Sequence, residues 1–150
     1  MKNYQIAFSP GMACKELIIK SLRLADSTID ICVFTISDDA ISGEIKEAYD
    51  RGVEVRIITD NYKVYDEGSD VEELSLFGIP VRVDESENHM HHKFMIVDQK
   101  AVLTGSYNWT RSAALYNQEN LVKMNDAEFC VAFQQEFDRL WTNLVDLEVK

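Results

Sequence analysis

Cysteine is scarce in this chain: Cys14, Cys32 and Cys130 are the only three among 150 residues. Their number is odd, their spacing is wide, and no CxxC pair exists, which excludes a disulfide framework and a cysteine-based zinc module. Long apolar runs are also missing. None approaches the about 18 to 20 residues of a membrane span, and Met1-Lys2-Asn3-Tyr4-Gln5 carries no apolar stretch of a secretion signal behind its charge. Reduced thiols without leader or anchor give the expectation of a cytoplasmic protein. Basic charge is short as well, with 15 Lys and Arg against 26 Asp and Glu, a net charge of -11. That excludes a broad nucleic-acid coating role, but a small cationic cleft can hold its own potential inside an acidic protein. There is no internal repeat and no low-complexity segment. What remains is 46% hydrophobic and 27% charged, the composition of one folded domain over residues 1–150.

Hydrophobic periodicity then sets the elements. Tyr4 to Ser9 reads as a strand, and Met12 to Ala25 as a helix with Cys14, Leu17, Ile18, Leu22 and Ala25 on one side. Thr28 to Ile36 is β-branched and apolar, a buried strand. Ser37 or Asp38 caps a helix that stops at Gly52. Val53 to Thr59 is a strand, Asp60 to Asp70 a polar loop, Val71 to Leu76 a short helix, and Ile79 to Val83 a short strand. Strands at His91 to Val97 and Ala101 to Thr104 flank the turn Asp98-Gln99-Lys100, and Leu121 to Met124 is the last strand. A closing helix, capped by Asn125 or Asp126, carries Phe129, Phe133, Phe137, Leu140, Trp141 and Leu144 at helical spacing. Strands alternating with helices predict an α/β domain, a mixed β-sheet flanked by helices. The two prolines, Pro10 and Pro80, fall at element starts.

The chemistry concentrates between His89 and Asn120. His91 and Lys93 stand two apart on an expected strand, so both leave one face. An imidazole beside an ammonium is a poor core pair and a good pair for binding and attacking phosphate. Gly105 permits close backbone approach, and Ser106 and Asn108, again two apart, add neutral hydrogen-bonding groups at the next strand end. His89 and His91 share a face too, which makes a zinc or nickel site conceivable. The positive charge of Lys93 argues against a cation there, so no metal and no cofactor are expected.

The series His91-x-Lys93-x4-Asp98-x6-Gly105-Ser106-x-Asn108 resembles the HKD motif of the phospholipase D superfamily with its trailing glycine-serine-x-asparagine. The flanking phrases MHHKFMIVD and LTGSYNWT are similar to the single-motif branch, which holds Nuc-type endonucleases and the Zucchini and cardiolipin hydrolase proteins. The secretion signal of the former and the anchor and zinc insertion of the latter are not found in this sequence. The resemblance implies a phospholipase D-like phosphodiesterase domain in which His91 is the nucleophile and forms a phosphohistidine. Lys93 and Asn108 hold phosphate oxygens, and Ser106 binds phosphate or supports the site. Glu119 accepts a hydrogen bond from His91 and fixes its tautomer, and Asp98 supports the motif from its turn. With one motif per chain, the resemblance implies a homodimer whose second His91 is the acid.

The substrate stays open between single-stranded DNA or RNA, the first expectation, and a phospholipid of the cardiolipin type. A third alternative, an idle binding module, conflicts with a complete motif. Tyr107 and Trp109 read as core or rim packing ahead of base stacking. Arg51 and Arg56 read as a solvated edge, with a phosphate-tracking strip as the alternative.

Overall fold

A computed structural model of the chain describes residues 2–149. Its strands are β1 (Tyr4–Ser9), β2 (Thr28–Val33), β3 (Glu54–Thr59), β4 (Val81–Val83), β5 (Lys93–Val97), β6 (Ala101–Gly105), β7 (Glu119–Met124) and β8 (Val145–Asp146). The helices are α1 (Ala13–Leu24), α2 (Asp39–Asp50), α3 (Val71–Leu76), α4 (Arg111–Leu115) and α5 (Ala127–Asn143). All eight strands form one sheet in the order β1-β7-β6-β5-β2-β3-β4-β8. Strands β2, β3 and β4 are parallel and joined through α2 and α3, and every other pairing is antiparallel. The mixed sheet flanked by helices is therefore as expected.

Alternation along the strands divides the core in two. Met95 and Val97 point toward the layer that holds Ile18, Leu22, Ile41 and Ile45, residues of α1 and α2. Phe94 and Ile96 point the other way, onto Cys130 and Phe137 of α5. A period of two in β5 thus meets a period near 3.6 in helices on both faces, which is what a strand buried on two sides requires.

Asp98 and Gln99 both have positive φ, 55° and 56°, in the turn between β5 and β6. Gly105 lies so close to β7 that a Cβ there would come within 2.2 Å of the Asn120 carbonyl oxygen. Only glycine lets the end of β6 pair there.

Two elements escape the pattern. The five residues of α4 and the two of β8 are too short to carry a periodic signal. Thr110 caps α4, accepting from the Ala113 N–H at 3.1 Å. The two arginines differ, and Arg56 corrects an expectation. Arg51 donates to the carbonyls of Leu22, Arg23 and Ala25, which closes the C-terminal end of α1. Arg56 pairs with Asp30 at 2.8 Å and lies over the rings of Phe137 and Trp141. Arg56, half-buried in its ion pair, is not a solvated edge, whereas Arg51 is exposed at the edge with its guanidinium held by three carbonyls.

Candidate active site

Three chain segments meet where β2, β5 and β6 come together. Lys93 opens β5 and pairs with Val33, the last residue of β2. Just beyond, the Phe34 N–H donates to the His92 carbonyl at 2.9 Å, so His91 and His92 precede the strand yet are pinned beside it. On the other side, the Trp109 N–H donates to the Thr35 carbonyl, and the Ser37 and Asp38 N–H groups donate to the Trp109 carbonyl. Tyr107 and Trp109 are buried, 1% and 2% exposed. They anchor the segment and turn the alternate side chains, Ser106 and Asn108, out of the core. Their burial leaves no surface for a base to stack on.

His91 is exposed at the mouth of this junction. Its Nδ1 lies 3.2 Å from the Lys93 ammonium, which also donates to the His91 carbonyl at 2.9 Å. Burial, Lys93 and His89 together hold the imidazole pKa below its ordinary value, so the neutral, nucleophilic form is favoured at neutral pH. Burial likewise lowers the Lys93 pKa, and the nearby Glu119 carboxylate works against that shift. The Asn108 Oδ1 accepts from the Thr35 N–H at 3.2 Å. That bond orients the amide, and its NH2 has no protein partner among the described residues.

The expected contact between Glu119 and His91 is not made. Glu119 opens β7, which is separated from β5 by β6, and the residue just after β6 intercepts it: Ser106 donates to Glu119 Oε1 at 2.6 Å. Asn117 donates to the other carboxylate oxygen at 3.2 Å. Ser106 also accepts from the Asn120 N–H at 3.0 Å. With its hydrogen committed to Glu119, Ser106 supports the site and has no donor left for phosphate.

Asp98 sits apart, at the far end of β5 from Lys93. Its carboxylate accepts from the N–H groups of Asp26, Ser27 and Thr28 and from the Ser27 hydroxyl. It clamps the start of β2 to the β5–β6 turn and reaches no reacting group.

Sequence reasoning missed Phe34, Asp60 and Lys63. The Phe34 ring lies 4.6 Å from the His91 ring centre and 5.2 Å from that of His89. The Lys63 and Lys93 ammonium groups lie 5.3 and 5.7 Å from its centre. Asp60 is fully buried, accepts from the Met90 N–H at 2.9 Å and stands 3.6 Å from His89. It thereby holds the histidine segment from behind. An acidic residue directly after the apolar run of β3 was the available signal, since sites in open α/β sheets gather at the carboxyl ends of strands. His92 turns the other way and bonds Glu136 of α5 at 3.0 Å. Among the described residues no three His, Cys, Asp or Glu side chains converge as metal ligands would.

Comparison with known proteins places this geometry. Residues 18–141 match the family described as cardiolipin synthase, PLD-like domain. The mitochondrial cardiolipin hydrolase of Chlamydomonas reinhardtii is 48% identical over 120 residues, 80% of this chain and 54% of that protein. That of Xenopus tropicalis is 43% identical over 129 residues, 86% of this chain and 61% of that protein. The chain therefore spans between 54% and 61% of these two curated relatives. Nuc from Salmonella typhimurium, a phospholipase D family member of known structure, superposes with a TM-score of 0.91 at 27% identity, covering 97% of this chain and 98% of that one. NucT from Helicobacter pylori has the same fold at a TM-score of 0.84 and 22% identity, covering 96% of this chain and 99% of that one. The relatives named mitochondrial overturn the expectation of a cytoplasmic setting, which rested on thiols and missing segments rather than on any positive signal. With its motif series, its sheet order and these relatives in agreement, the chain belongs to the phospholipase D superfamily of phosphodiesterases, in the branch with a single HKD motif.

Proposed function

We propose that this chain cleaves phosphodiesters through a covalent phosphohistidine on His91, in a site completed by a second copy of the chain. The observation that carries the reading is the lysine–histidine pair, 3.2 Å apart at an open strand end beside the unpartnered amide of Asn108. When phosphate binds, the Lys93 ammonium exchanges the imidazole for a non-bridging oxygen, which frees the ring's lone pair. Asn108 donates to a second oxygen, so charge is stabilised without movement of the site.

His91 then forms a nitrogen–phosphorus bond while the bond to the leaving oxygen breaks. That oxygen takes its proton from His91 of the second copy. The same imidazole next removes a proton from water, the water oxygen bonds phosphorus, and the nitrogen–phosphorus bond breaks. Both histidines return to their starting states. One chain supplies a single such imidazole, and a two-fold axis brings two together. No step calls on a metal, so activity should survive excess EDTA; loss restored by one added metal would overturn this scheme.

For substrate, single-stranded DNA or RNA is the first reading. It is supported by the close superposition on Nuc and by an open site that carries an accessible aromatic ring between cations. A flexible strand also enters a narrow two-fold groove more readily than a duplex. The second reading, a phospholipid of the cardiolipin type, is supported by relatives named mitochondrial cardiolipin hydrolase, at 48% and 43% identity in the two cases above. Those names also support a mitochondrial setting. The deciding measurement compares turnover of single-stranded DNA, single-stranded RNA, duplex DNA and cardiolipin vesicles, each against His91→Ala. Single strands should be cut fastest. If cardiolipin alone is hydrolysed, the lipid reading replaces the nuclease.

A further inference from the structure

Phe34 and Lys63 have no part in the mechanism above, yet they adjoin it. The half-buried Phe34 ring follows directly on β2 and packs against His91. One ammonium on either side of the mechanism's boundary approaches that ring: Lys93 from β5 at 5.7 Å, and Lys63 from the loop after β3 at 5.3 Å. A single phenyl ring thus has both cations near it, each attracted by its electron-rich face. Because both ammonium groups approach the same ring, a flexible strand whose phosphate meets Lys93 passes within reach of Lys63. Lys63 is not locked away. Its partner is Asp66 at 3.0 Å, and both side chains are partly exposed, 32% and 48%. A surface pair of this kind is weak and is readily exchanged for a phosphate.

We propose that Lys63 and Phe34 form a second phosphate subsite, which takes the phosphate adjoining the scissile one in a nucleic-acid strand. The ring favours that ligand, because a nucleoside can pack on its exposed part beside the cations and the glycerol linker of a diphosphatidyl lipid offers no such surface. The proposal rests on the reading of His91 and Lys93 as the scissile-phosphate site.

The test is titration calorimetry with thymidine 5′-monophosphate, thymidine 3′,5′-bisphosphate and glycerol 1,3-bisphosphate. The proteins are wild type, Lys63→Met and Asp66→Asn. In wild type the nucleoside bisphosphate should bind about tenfold tighter than the monophosphate, a difference of about 1.4 kcal/mol. Lys63→Met should abolish most of that advantage, and Asp66→Asn, which frees the lysine, should enlarge it. The salt dependence of binding to a short single strand should also lose about 0.7 in logarithmic slope in Lys63→Met. An unchanged advantage in Lys63→Met, or none in wild type, overturns the subsite. An equal advantage for glycerol 1,3-bisphosphate overturns its assignment to nucleic acid. Binding is read without turnover, so the two proposals fail separately. An inert protein that keeps the Lys63-dependent advantage refutes the catalytic scheme alone, and an active protein without it refutes the subsite alone.

Discussion

His91 titrates under the influence of burial and of charged neighbours, with Lys93 lowering its pKa and Asp60 opposing. Burial, Lys93 and His89 all disfavour the imidazolium. The neutral nucleophile therefore persists to lower pH than an isolated histidine would allow. Replacing His89 with Gln removes one of these influences, so the pKa should rise and the acidic limb of the kcat/KM profile should move to higher pH. The limb belongs to two coupled imidazoles, and only its displacement is diagnostic. An unmoved limb would separate His89 from the titrating pair. Glu119 acts at one remove, holding Ser106 and offsetting the burial of Lys93. Glu119→Gln keeps the size and loses the charge. We expect kcat to fall about tenfold with KM nearly constant, the pattern of lost transition-state stabilisation. A raised KM with kcat unchanged would make Glu119 a substrate contact instead.

At the scale of elements, the β5–β6 turn shows how a motif residue can serve structure. Burial raises the carboxyl pKa of Asp98, but three backbone N–H donors and the Ser27 hydroxyl outweigh it and leave the pKa below the usual value. A depressed carboxyl stabilises the fold above its unfolded pKa, and that contribution is lost as pH falls through the folded one. Asp98→Ala should therefore cost about 3 kcal/mol at neutral pH. The gap in unfolding free energy from wild type should close in acid, and turnover per folded molecule at 25 °C should hold. A gap that persists in acid would assign the loss to the left-handed turn rather than to the charge; Asp98→Asn, which tolerates that conformation, separates the two. Legibility in the sequence divides at the same scale. Strands β1 to β7 and the long helix were readable, because alternation in β5 and the spacing of Phe133, Phe137 and Trp141 persist over several repeats. Element α4 was not, since five residues cannot show a period. At the site, residue types two apart gave the lysine–histidine pair. They could not give Glu119 its true partner, because which strand lies between two others is decided by sheet order. Phe34 was hidden inside an apolar run that reads as strand throughout, and Tyr107 and Trp109 were correctly favoured as core.

For the whole molecule, the open question is assembly. Subunits co-expressed with different tags can be purified as mixed dimers of wild type and His91→Ala. If each site needs both histidines, such dimers should retain only a few per cent of wild-type activity. Half activity would mean that each chain works alone, as would an active monomer in light scattering. The net charge of -11 bears on the same scale. It repels any polyanion at a distance, so moderate salt should assist encounter before it weakens the local lysine contacts.

Trp109 gives that surface an optical counterpart. Its indole is shut from water one residue after Asn108, and its backbone is tied to Thr35, Ser37 and Asp38, the segment that also carries Phe34. The only other indole, Trp141, lies on α5 against the guanidinium groups of Arg56 and Arg82. A Trp141→Phe protein would therefore emit from one fluorophore, in an apolar setting, on the segment that carries Asn108. Its blue-shifted emission would follow small displacements of that segment as ligand arrives, in real time and without a label on either molecule.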